Sequence, residues 1–119
     1  MTLATPAPTL TLTADDLLAG SALVFDVAVP PQLLRPGEAG NFDSTDSLVV
    51  QLRPLTIGTL QLIMKASRQD PGLIPLLMIK ESLVNPALSL EQVRAMPLGL
   101  VNFFIAQIRH LSGLEEKKT

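Results

Sequence analysis

From Ser47 to Gly113 the chain is rich in aliphatic residues and cut by Pro54, Pro71, Pro75, Pro86 and Pro97, and no other feature limits its possible folds as strongly. A proline inside a helix removes a backbone hydrogen bond and clashes with the preceding turn. This stretch therefore predicts one strand and a series of short helices rather than a long rod. Leu48, Val50 and Leu52 alternate with Val49, Gln51 and Arg53, which is the period of a half-buried strand over 48–53. Thr56 is placed to cap a helix over 56–69 with an inner stripe of Ile57, Leu60, Ile63 or Met64, and Ser67. Asp70-Pro71 opens a second helix over 71–84, in which Pro75 predicts a late start or a kink. Ser89 and Gln92 form a capping-box pattern at the start of a third, over 89–96. Pro97 opens the fourth, over 97–112. Its stripe is Val101, Phe104, Ile105, Ile108 and Leu111, and Gly113 closes it.

Upstream, Leu23, Phe25, Val27 and Val29 alternate with Val24, Asp26 and Ala28, so a strand over 23–29 is expected until Pro30-Pro31 stops it. Arg35–Asp46 is rich in Gly, Asn, Asp and Pro and reads as a loop. Two strands joined in this way suggest an antiparallel pair that must pack on the helices or on another chain's sheet. The fold class expected is α+β, a small antiparallel strand pair followed by a bundle of about four short helices. Residues 1–20 form an extended N-terminal arm, in which Thr13 can cap a single helical turn with Asp15 and Asp16 at its start. Residues 114–119 form a charged tail.

The 119 residues make a single domain. Hydrophobic residues are 47% and charged residues 17%, against roughly 25% charged in an average soluble protein. The chain can fill a core but has too little charge to cover all the remaining surface, so an exposed apolar face for self-association or a protein partner is expected. Net charge is −2, the nine Lys and Arg are scattered, and there is neither Trp nor Tyr. Phosphate neutralisation needs clustered cations and base stacking needs aromatics, so nucleic acid is not expected as a partner. No apolar run approaches the roughly 20 residues of a membrane span. Cysteine is absent, which removes disulfides and thiolate chemistry. Met1–Thr13 carries no Lys or Arg, so no secretory signal is expected and the cytoplasm is the expected compartment.

Reactive side chains are sparse. His110 falls near the end of the last helix, where a cation suits the helix dipole, and no nucleophile-elbow pattern precedes any serine. An enzyme would have to draw on Asp26, Asp43 or His110. Glu38, Asp43 and Asp46, with Asp26, offer oxygen ligands. The loop containing them lacks the glycine and the bidentate glutamate of a calcium hand, and Asx-turns account for it equally well. No catalytic, cofactor or metal site is therefore expected. The candidate protein-binding residues are apolar. Leu98, Leu100 and Phe103 lie off the main stripe of the last helix, Leu10 and Leu12 lie in the arm, and Met64 and Met78 are either adaptable core fillers or groove residues. Met96 has the same two readings.

Val49-Val50-Gln51-Leu52-Arg53-Pro54-Leu55-Thr56-Ile57-Gly58-Thr59-Leu60 resembles the strand-to-helix entry of small tail assembly chaperones of phages and phage-like contractile systems. Leu88–Val93 followed by Met96–Val101 resembles their helical second half, so the similarity covers about 48–114. The resemblance implies a non-catalytic protein that holds aggregation-prone segments of a tail tube, tape-measure or baseplate component. The arm and the strand pair depart from that pattern. They suit a structural subunit that joins a neighbour's sheet by strand addition and stays in the particle.

Overall fold

The computed structural model describes residues 10–34 and 48–114. It is an α+β fold, a three-stranded antiparallel sheet with short helices on it. Residues 1–9, 35–47 and 115–119 lie outside the described residues, and with them the expected loop over 35–46 and all but the first residue of the expected tail over 114–119. Strand β1 (Phe25–Ala28) pairs antiparallel with β2 (Val49–Leu52), Phe25 opposite Leu52 and Val27 opposite Val50. The expected alternation sets the register: Val27, Val29 and Leu52 are buried, while Asp26, Ala28 and Val49 face out. Between the strands, Pro31 opens a four-residue helix α2 (Pro31–Leu34) where only a stop was expected. Proline suits a first helical position, and Leu33 packs on the core. The Leu33 Cδ2 lies 3.4 Å from where a Cβ on Gly99 would stand.

A third strand, β3 (Leu83–Asn85), corrects the expected pair, and β2 becomes the central strand. The helix expected to reach residue 84 stops at Ser82. The free edge of β2 captures the chain immediately after it, with Leu83 opposite Leu52, Asn85 opposite Gln51, and Val84 as the extra residue of a bulge. Ser82 makes the transition. Its hydroxyl donates to the Arg53 carbonyl, its own carbonyl accepts from Arg53 N–H at 2.9 Å, and Arg53 Nε donates to the Glu81 carbonyl at 3.0 Å.

The helices follow their caps. Thr56 accepts from Thr59 N–H at 3.2 Å and starts α3 (Ile57–Ala66). α4 (Leu73–Ser82) begins later than Pro71, after a turn in which Gly72 N–H donates to Asp70 Oδ1 at 3.1 Å. The late start puts Pro75 in the first turn, where its missing N–H has no helical acceptor to lose. Ser89 and Gln92 close both bonds of the capping box at the head of α5 (Leu90–Arg94).

α6 (Leu98–Leu111) ends at Gly113, the one described non-helical position with φ on the left-handed side, +76°. Leu114 N–H reaches the Arg109 carbonyl at 2.7 Å and Gly113 N–H the His110 carbonyl at 3.1 Å, the two bonds of a Schellman cap. An L side chain is strained at that φ. Gly113→Ala is expected to cost about 1–2 kcal/mol, read as a thermal midpoint several degrees lower.

α4 carries Leu73, Ile74, Leu76, Leu77, Met78 and Ile79 in sequence and is apolar all round because it is covered on two sides. Ile79 and Leu76 join the core with β2, β3, α5 and α6, whereas Ile74 and Leu77 turn toward α3. The core consists of Val27, Val29, Leu52, Ile79, Leu83 and Val93 with Leu100, Phe104 and Ile108 of α6. It contains no residue of α3.

Candidate protein-binding surface

α3 packs on α4 and stands outside the core. Ile63 is its buried side chain, and Ser67, the C-cap, is buried beside it with its hydroxyl donating to the Ile63 carbonyl at 2.8 Å. The expected inner stripe holds at Ile63 and Ser67 and at half-buried Leu60, and is corrected at Ile57. Ile57 is 70% exposed and Met64 56%, with Leu62 exposed on the other flank. Between α3 and the start of α4 lies an open groove of about 580 Å³, walled by Ile57, Leu60, Met64, Pro71 and Ile74. Lys65 and Arg68 stand at its margin. A second groove, of about 410 Å³, lies on the far flank between Leu62, Ala66 and Leu77.

The segment Leu52–Thr56 that carries the resemblance holds this helix in place. Leu52 is fully buried, Arg53 is tied to Glu81 and Ser82, and Leu55 N–H donates to Ser112 Oγ at 2.9 Å, fastening the entry of α3 to the end of α6. Thr56 then caps α3. Residues 52–56 therefore position the groove, and Ile57 and Leu60, which follow them, line it.

The candidate residues read from sequence do not converge. Met64 lies in the larger groove, and none of the other six candidates lines it. Leu98 is exposed at the start of α6. Leu100 was expected off the buried stripe, but it is 6% exposed in the core, because Leu100, Phe104 and Ile108 recur every four residues on the face toward α4. Phe103 is half-buried and tilted against Phe104, with ring centroids 5.7 Å apart. Met78 and Met96 pack on the core as gap-fillers. Ile57, Pro71 and Ile74 were missed as groove residues. The available signal was that α3 spreads Ile57, Leu60, Leu62, Ile63 and Met64 around more than one face.

Leu10 and Leu12, with Leu17 and Leu18, are exposed in the arm. There α1 (Ala14–Leu18) leads into a 3-10 turn, η1 (Ala19–Ala22), and buries no residue. A reciprocal capping box supports it, with Thr13 N–H donating to Asp16 Oδ2 at 2.9 Å and Asp16 N–H to the Thr13 hydroxyl at 3.2 Å. The Thr13 backbone N–H, and secondarily the Thr13 hydroxyl, hold the Asp16 carboxyl below its usual range. A lowered folded pKa gives a contribution that is present above the unfolded value and lost as pH falls through the folded one. Amide shifts of 14–18 are expected to lose helical character on acidification below the ordinary aspartate range. In Asp16→Asn that pH dependence should vanish.

Asp26 sits opposite Gln51 and accepts from its Nε2 at 3.2 Å on the exposed face of the sheet. His110 is exposed in the last turn of α6. Glu38, Asp43 and Asp46 lie outside the described residues. Among the described residues no three His, Asp or Glu side chains group closely enough to hold a metal, and no helix is long and apolar enough to cross a membrane.

No family model, curated protein or solved structure matches this chain.

Proposed function

We propose that this protein is a non-catalytic assembly factor or chaperone of a phage tail or phage-tail-like contractile particle, holding apolar segments of a tail component. The observation that carries the reading is α3: a capped helix outside the core that keeps Ile57, Leu62 and Met64 in solvent. An apolar groove beside a firmly anchored helix suits an amphipathic helical segment of a partner. The resemblance over 48–114 supplies the partner class, a tail tube, tape-measure or baseplate protein. The test is co-expression with tail tube, tape-measure and baseplate proteins of phage-tail-like particles. The expected result is a complex that keeps a tape-measure or tube protein soluble. Indifference to every tail component would overturn the reading.

A second reading, a structural subunit retained in the particle, is favoured by the sheet order, which leaves the outer side of β1 at an edge, and by the exposed arm. Edge strands of this kind accept a neighbour's strand. Under this reading, deletion of residues 1–13 abolishes assembly. Normal particles from the truncated chain would exclude it.

A further inference from the structure

Two uncovered surfaces of this chain complement one another. The first is the arm. Leu10 and Leu12 precede the capped turn of α1 and are exposed. In α1, Ala14, Leu17 and Leu18 share one helix face while Asp15 and Asp16 take the opposite one. All four leucines are more than half exposed, and the main contact of α1 is with the adjoining η1. The second surface is the α3–α4 groove, lined by five apolar residues together with Gln61, Ser67, Lys65 and Arg68.

The charges match. The first 34 residues contain Asp15, Asp16 and Asp26 and no Lys or Arg. Lys65 and Arg68 form no ion pair among the described residues, whereas Lys80 pairs with Glu81. Asp70, the acid nearest the groove in sequence, is engaged with Gly72 N–H. An acidic amphipathic arm thus meets an apolar groove flanked by uncommitted cations.

We propose that the arm of one copy, Leu10–Leu18, lies in the α3–α4 groove of a second copy, and that the exchange is reciprocal about a two-fold axis. Leu17 and Leu18 cover Ile57, Met64 and Ile74, and Asp15 approaches Lys65 and Arg68. One short arm buries little against the roughly 800 Å² per partner of a stable interface, and reciprocity doubles it. Filled in this way, the groove is closed in the resting state, and any third polypeptide has to displace an arm to enter it.

The test is sedimentation equilibrium of the full chain with no tail component present. A concentration-dependent dimer is expected. Leu17→Gln with Leu18→Gln should weaken it about tenfold or more, as should Lys65→Glu with Arg68→Glu. Adding Asp15→Lys to the latter pair should recover part of the loss. An arm variant mixed with a groove variant (Ile57→Asp with Met64→Gln) should associate more tightly than either alone, because one intact arm then meets one intact groove. All these side chains are exposed or line the groove, and unchanged circular dichroism, with unchanged melting at concentrations where the parent is monomeric, verifies that the fold is kept. A monomer at all concentrations, or an arm variant that dimerises like the parent, would overturn the exchange. A monomer that still binds a tail protein would overturn arm exchange alone. A dimer that ignores tail proteins would overturn the tail reading alone.

Discussion

Ile79→Ala is expected to lower stability by about 2–5 kcal/mol, the range for removing a fully buried branched side chain. Ile79 is completely shielded, in the core cluster that α4 shares with α6 and the sheet. A domain of this size is stable by roughly 5–15 kcal/mol in all, so the loss would take a large share. It would appear as a lower urea midpoint with an unchanged slope. The contrast is Ile57→Ala, the same deletion at a 70% exposed site, which should change stability by less than about 0.5 kcal/mol. Equal effects at the two sites would mean that α3 belongs to the core after all.

Ile57→Asp combined with Met64→Gln should do the reverse. Stability should hold to within about 1 kcal/mol, because both side chains are in solvent and an aspartate at the first helical position suits the dipole. If the proposed function holds, affinity for a tail segment should fall about a hundredfold or more. Burying two large apolar side chains is worth roughly 1.5–3 kcal/mol each, and each 1.4 kcal/mol is a factor of ten. A carboxylate facing an apolar ligand adds its desolvation cost. Isothermal titration against the soluble partner segment reads the effect. Unchanged affinity would move the binding face away from α3.

What could be read from residues alone was local. Thr13, Thr56 and the Ser89–Gln92 box declare helix starts because their bonds close within three residues. The alternation at 23–29 and 48–53 declares two strands because the period of two is built into each. β3 was hidden for the opposite reason. Leu83-Val84-Asn85 is too short to show a period, and it is a strand because the far edge of β2 needs a partner roughly 30 residues away. The surface was legible as a class but not residue by residue. Low charge indicated an uncovered apolar face, yet helix rotation decides which side chains form it. Leu100 and Val101 differ by one step of the helix, and contact with α4 placed Leu100 inside. On α3, Ile63 faces inward as its stripe predicts, whereas Ile57 of the same stripe is left outside.

Because no side chain of α3 belongs to the cluster that holds the fold together, selection can act on the two separately. The outer residues of that helix are free to drift in size and polarity, retuning which ligand is accepted, while Leu52, Ile79 and Ile108 keep the scaffold constant.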